Sequence, residues 1–301
     1  MSQTPHVTPV PNRQAPVCRE VAVLSLERHL PPNASTPEAN LYSLRLHSPG
    51  WECWLPGQFV MLRPKRAGDD TLWARPFSIS RADEKELVIV FQVVGRGTKA
   101  LVDLSPGELI TLWGPLGNAF AVSPHAPTLL LAGGIGIAPF VGYIEHHPNP
   151  HNLRMHFGHR LPLECYPFEN CSSASGRAID ACNHLDCGPG DLERFLNILD
   201  TEIQNISLRN GLVLACGPMP FLRAIQKFAL RYKVPAQLSL ETRMACGVGA
   251  CLGCVVKSTA QTECGSACEK VDTPPTPGAF AYVQTCTCGP VFWADHIILD
   301  E

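Results

Sequence analysis

The sequence predicts an antiparallel β-barrel, then a parallel α/β domain, then a short cysteine-rich end. Three observations carry this. Between Val17 and about Val122 the apolar runs are short and separated by proline and glycine turn signals. From Pro127 onward, buried-strand runs alternate with helical spacing. From about Leu238 the chain turns rich in cysteine and glycine.

The elements follow in order. Residues 1–16 hold four prolines and no periodicity, so we expect a flexible arm. Strands are expected at Val21–Leu24, Leu41–Leu46, Phe59–Leu62, Leu87–Val94 and Leu109–Trp113. The run Leu87–Val94 is nearly all apolar and reads as a central strand buried on both faces. Together 17–124 form the expected barrel. In the α/β part (125–237), strands are expected at Thr128–Ala132, Leu153–Phe157 and Leu212–Ala215. Helices are expected from Pro139, over Asp191–Gln204 and over Pro220–Tyr232. Residues 161–190 fit neither period and read as an insertion. Residues 238–301 form the third unit.

Composition bounds the function. The 301 residues are 45% apolar and 17% charged, enough to fill a core. The net charge of −3 offers no basic surface for nucleic acid. The apolar stretch Thr128–Ile144 is interrupted by glycine and proline, so no membrane span is expected. The first residues lack a basic start and an apolar core, so we expect no secretory leader and a cytoplasmic protein. In that reducing setting, 14 cysteines point to metal or redox chemistry rather than disulfides.

The strongest motif is Cys246-Gly-Val-Gly-Ala-Cys251-Leu-Gly-Cys254. Its C-x4-C-x2-C spacing is that of plant-type 2Fe–2S ligands, which need one more cysteine. The intervening glycines let backbone approach the sulfides. Cys264, Cys268, Cys286 and Cys288 are all candidates for the fourth place. A four-cysteine zinc site is the alternative. Cys182, His184 and Cys187 could hold a second metal, with ordinary loop thiols the plainer reading.

Two further motifs face phosphates. Gly133-Gly134-Ile135-Gly136 follows a strand and opens a helix, where backbone N–H groups can hold a pyrophosphate. Arg75-Pro76-Phe77-Ser78 suits a flavin dinucleotide: arginine for phosphate, Phe77 against a planar ring, Ser78 near its reactive nitrogen. Gly95-Arg96-Gly97-Thr98 would add amides and a hydroxyl.

The order of these motifs, with Pro56-Gly57-Gln58-Phe59-Val60, Cys216-Gly217-Pro218-Met219 and the ending Gly289-Pro290-Val291-Phe292, resembles the ferredoxin reductase superfamily. Within it, the chain is similar to the electron-transfer subunits of NAD-dependent (class 1B) dihydroorotate dehydrogenase. The resemblance covers roughly 17–160 and 208–301. It implies FAD on the barrel, contacted by Arg75, Pro76, Phe77, Ser78, Val90, Phe91, Gln92, Gly97 and Thr98. It implies a 2Fe–2S cluster on Cys246, Cys251, Cys254 and, from its place before Gly-Pro-Val-Phe, Cys286. NAD is the implied acceptor at Gly133, Gly134 and Gly136. The implied partner is an FMN-containing catalytic subunit, two copies of each, which oxidises dihydroorotate in pyrimidine biosynthesis. Electrons would pass from FMN through the cluster and FAD to NAD, with no catalytic acid or base on this chain. Leu252, Val291, Phe292 and Trp293 are the expected partner-facing residues.

The sequence departs from the family in its long Cys254-to-Cys286 gap, in Cys288, and in the 161–190 segment. The rival readings are a flavin/iron–sulfur subunit of a ferredoxin:NADP oxidoreductase, a sulfide dehydrogenase or a hydrogenase diaphorase. A rival of another class is a zinc-binding interaction module.

Overall fold

The structure is a computed structural model and describes residues 14–29, 40–65, 72–172, 179–259 and 280–299. Of the expected arm, only 14–16 fall within the described residues.

The first sheet is built from β1 (Val17–Arg28), β2 (Leu41–His47), β3 (Phe59–Pro64), β4 (Arg75–Ser78), β5 (Arg81–Ala82), β6 (Glu86–Gln92) and β7 (Leu109–Leu116), with α1 (Arg96–Val102) between the last two. Its order is β4-β3-β7-β1-β2-β6-β5, and every pair is antiparallel. The sheet curls because the chain leaving β4 bonds first beside β3 and then on β6, near opposite ends of the strand order. Ile79 N–H donates to Gln58 and Ser80 N–H to Val88. Val60, Leu62, Phe77, Ile79, Ile89, Phe91 and Leu112 fill the interior. β6 is buried on both faces only in its middle: Ile89, Val90 and Phe91 are buried in succession, whereas Val88 is half-exposed.

The second sheet uses β8 (Thr128–Gly133), β9 (Leu153–His159), β10 (Asp180–Leu185), β11 (Leu212–Cys216) and β12 (Ala236–Ser239). Its helices are α2 (Ala138–His146), α3 (Phe168–Ser172), α4 (Asp191–Leu208) and α5 (Met219–Tyr232). The cysteine-rich end adds the hairpin β13 (Val255–Thr259) and β14 (Phe280–Gln284), the short α6 (Thr285–Cys288) and β15 (Val291–Trp293). The order is β10-β9-β8-β11-β12-β15. All neighbours are parallel except β15, which runs antiparallel to β12.

β8 is apolar from Leu129 to Gly133 because both of its faces are covered. Leu130 and Ala132 pack with Phe140 and Tyr143 of α2. Leu129 and Leu131 pack with Leu199 and Ile203 of α4 and Leu222 and Ile225 of α5. Each such fully buried leucine contributes about 1.5–3 kcal/mol. α4 runs four residues past the expected end, and Leu192 stays outside its buried stripe.

The 161–190 segment is more regular than its composition suggests. It contains α3 and the edge strand β10, parallel to β9. β10 carries Asp, Asn and His, and an edge strand tolerates polar side chains that hide its period. Among the described residues no helix is long and apolar enough to cross a membrane.

Candidate functional site

The cysteine loop between β12 and β13 has no regular secondary structure, and it needs none. Gly247, Gly249 and Leu252 take positive φ of 72°, 86° and 54°. These turns fold the loop back so that its amides point at sulfur. Val248 N–H lies 3.5 Å and Cys251 N–H 3.4 Å from Cys246 Sγ, on which both donate. The Gly249 amide acts on the Cys286 thiol in the same sense, favouring its charged form.

The four cysteines come together as two pairs. Cys246 and Cys251 have their sulfurs 3.4 Å apart at the half-open edge. Cys254 and Cys286 are hydrogen-bonded to each other and are each only 2% exposed. Burial would raise the Cys246 thiol, but the amides of Val248, Cys251 and Ala250 and the Cys251 thiol outweigh it and bring it down to about 7. Cys286 goes the other way. Burial, then the Cys254 thiol, pushes it up to about 12. Cys288 is disulfide-bonded, whereas Cys286 is a free thiol facing Cys254. Cys264 and Cys268 lie outside the described residues. Among the described residues no three His, Cys, Asp or Glu groups converge on one point. Two thiol pairs under an amide cradle suit a group with two metal centres.

The loop rests on the barrel. Trp113 of β7 donates its indole N–H to the Cys246 carbonyl at 3.0 Å. Met61 of β3 lies under Gly247, where an added Cβ would meet Met61 Cγ at 2.6 Å. Cys254 and Cys286 pack with Phe59, Met61, Ala74 and Leu116. Ala74 is the residue before the Arg75 motif, so the cysteines back onto the strands that carry it. From the cysteine-rich end, Gln284 donates to the Gly249 carbonyl at 2.7 Å.

In the barrel motif, alternation splits the four residues. Arg75 and Phe77 align with Leu62 and Val60, and Pro76 and Ser78 with Met61 and Phe59. The Phe77 ring is 9% exposed and lies edge-on to Phe91 in the barrel interior. Val90 and Phe91 are likewise buried, and Gln92 is half-buried. Phe77, Val90 and Phe91 are thus buried, while Arg75, Pro76, Ser78 and Gln92 are each half-buried. Arg75 donates to the Trp73 and Ala74 carbonyls at 2.8 and 3.1 Å. It also lies against Gly97, where a Cβ would fall 2.5 Å from its Nε. The two expected phosphate-facing motifs thus meet. The Thr98 hydroxyl is already engaged, accepting from Val94 and Gly95 N–H at 3.0 and 3.2 Å.

The glycine loop sits at the carboxyl end of β8, beside that of β11. Gly133 ends the strand, a single 3-10 turn covers Gly134–Ile137, and α2 follows with Pro139 in its first turn. Gly134 has φ +54° with open space where a side chain would project. Gly133 and Gly217 pack backbone to backbone, and Gly136 is pressed against the Cys216 carbonyl. Open sheets bind ligands at this kind of crevice. The Cys216 thiol here is raised to about 12 by burial, against the pull of a Ser239 hydrogen bond, with Glu241 adding to the rise. Ser239 and Glu241, like Trp113 and Met61, carry no spacing signal. Adjacent strand ends bring them to the site.

Cys182 and His184 share a face of β10, and His184 Nε2 lies 3.0 Å from His156 Nδ1. Cys187 instead is exposed beside Asp191, so the three do not gather. Of the expected partner-facing residues, Leu252 is 67% exposed, but Val291 and Phe292 are core residues and Trp293 is half-buried. Val248 within the loop and Val255 just after it are exposed as well.

A family model for the iron–sulfur cluster binding domain of dihydroorotate dehydrogenase B matches residues 241–270. The chain is 30% identical over 243 residues to the electron transfer subunit of dihydroorotate dehydrogenase B (NAD(+)) from Caldanaerobacter subterraneus subsp. tengcongensis, covering 81% of this chain and 87% of that protein. In fold it is similar to an NADH-dependent reduced ferredoxin-NADP oxidoreductase, with a TM-score of 0.64, 20% identity, and coverage of 93% and 90%. It is also similar to a ferredoxin NADP+ reductase from Neisseria gonorrhoeae solved with bound FAD and NADP, with a TM-score of 0.53, 18% identity, and coverage of 71% and 91%.

Proposed function

The chain belongs to the family of electron-transfer subunits of NAD-dependent dihydroorotate dehydrogenase B, and from that premise we propose where on it each redox group is held. It is an oxidoreductase subunit that binds an iron–sulfur cluster and serves a catalytic partner subunit.

Cys246, Cys251, Cys254 and Cys286 are the cluster ligands in this reading, two per iron, pairing as their thiols pair. Cys286 is preferred over Cys288 because it faces Cys254 under the Gly249 amide. FAD lies along β4 and the start of α1, with Arg75 toward its phosphates and Ser78 toward its ring. The nicotinamide dinucleotide lies across Gly133, Gly134 and Gly136. When bound, the cluster moves electrons singly, and the flavin joins single-electron and hydride chemistry.

The chain's own residues hold and shield these groups. Gly247 and Gly249 allow the close backbone approach, and the amides of Val248, Gly249 and Cys251 offset negative charge on sulfur. Phe59, Met61, Ala74 and Leu116 keep water from the Cys254–Cys286 side. Cys246 and Cys251 remain at the open edge, beside exposed Val248, Leu252 and Val255. That edge is where the partner, carrying FMN and present in two copies with two of this chain, would dock. The observation that carries the reading is the paired cysteines docked against the strand row that includes β4.

The test is an absorption spectrum of anaerobically purified chain before and after dithionite, with iron and flavin assays. About two irons and one FAD per chain, bleaching on reduction, is the expected result. A colourless protein holding zinc, refractory to iron–sulfide reconstitution, would overturn it.

A further inference from the structure

We propose that Trp113 is a positioning residue for the Cys246 ligand, tying the cysteine loop to the flavin-side strands; the inference rests on the cluster reading above.

The loop is irregular and Cys246 is half-exposed, so the place of its sulfur depends on what grips its backbone. Gln284 grips the loop from the cysteine-rich end itself, at Gly249. Trp113 grips it from the barrel, 133 positions away in sequence, at the carbonyl of Cys246. The indole is part of a row. Trp113 on β7 is in register with Met61 on β3, and Met61 with Pro76 on β4. Side chains at paired positions project to the same face of a sheet. The row therefore runs from the Cys246 carbonyl, across the thioether beneath Gly247, to the middle of the Arg75–Ser78 strand.

Two consequences follow. The indole N–H fixes the Cys246 peptide, and with it the orientation of the Sγ that two amides already address. The ring also closes the barrel side of the loop. Without the N–H, the loop lifts and water reaches the sulfur. Water favours the more negatively charged reduced cluster, so the midpoint potential moves upward. The row also sets the separation of Cys246 from β4, over which electron transfer decays steeply.

The test uses full-length protein purified anaerobically. Trp113→Phe keeps an aromatic ring and removes the donor. The expected result is wild-type iron and flavin content, an altered visible circular dichroism spectrum of the cluster, and a raised midpoint in an EPR-monitored redox titration. Should Trp113→Phe fail to fold, benzothienylalanine at position 113 keeps the shape of the indole and lacks only the N–H. Wild-type dichroism and midpoint in either protein overturn the assignment of Trp113 and leave the cluster reading standing. Absence of iron in the wild-type chain overturns the cluster reading itself.

Discussion

Asn118 and Val291 bond each other twice across 173 positions of sequence: the Asn118 amide donates to the Val291 carbonyl at 2.6 Å, and its carbonyl oxygen accepts from Val291 N–H at 2.9 Å. The same amide donates to the Cys288 carbonyl at 3.1 Å. One side chain leaving the barrel thus holds the Gly-Pro-Val-Phe segment, and with it the turn that presents Cys286. Asn118→Ala leaves these backbone groups unpaired and should cost about 1–3 kcal/mol. We expect a lower melting temperature and reduced iron retention, with the barrel's flavin content less affected. An unchanged melting curve and iron content would refute this role.

Cysteine substitution separates the two fourth-ligand candidates. Cys286→Ser should lose the cluster's visible absorbance, because it removes a thiol that already faces Cys254. Cys288→Ser should keep about two irons per chain. The reverse pattern, read by iron and sulfide assay, would move the ligand to Cys288.

Leu252 tests the docking edge. It is exposed and sits at φ +54°, a conformation that Asp adopts more readily than Leu. Leu252→Asp should therefore keep the loop and its iron, and weaken assembly with the catalytic subunit about tenfold or more. Co-purification or analytical ultracentrifugation reads this out. Undiminished assembly would place the interface elsewhere.

The buried histidines set an acid limit. His156 is held down at about 4, first by burial and then by His184. Burial also lowers His147 and His184. A histidine whose folded value lies below its ordinary 6.5 takes up protons more readily when unfolded. Its contribution is full above pH 6.5 and is lost as pH falls toward about 4. Denaturant midpoints should fall across that window, and His156→Gln should flatten the decline. A slope unchanged by that variant would assign the acid sensitivity to other groups.

Much of this molecule is legible in sequence because its signals are local. The run Thr128–Ala132 reads as a buried strand since four of its five residues are apolar. The C-x4-C-x2-C spacing with its glycines reads as a cluster loop since one short segment supplies three thiols and the bends. β10 is hidden because a polar edge strand carries no apolar period, although its neighbour β9 reads clearly.

What the sequence determined by itself is the sequence of elements and the kinds of chemistry: a barrel carrying the Arg75–Ser78 strand, a parallel sheet with a glycine crevice, and a thiol-rich end. What only the tertiary structure decided is direction and pairing. Strand alternation sent Phe77 into the barrel and left Pro76 and Ser78 on the cysteine side. The β12–β15 pairing buried Val291 and Phe292 and left Leu252 outside. Register between β7 and β3 put Trp113 and Met61 under the loop. A residue's spacing shows what it can bind. Which face it occupies depends on partners more than a hundred residues away, and those are chosen by packing.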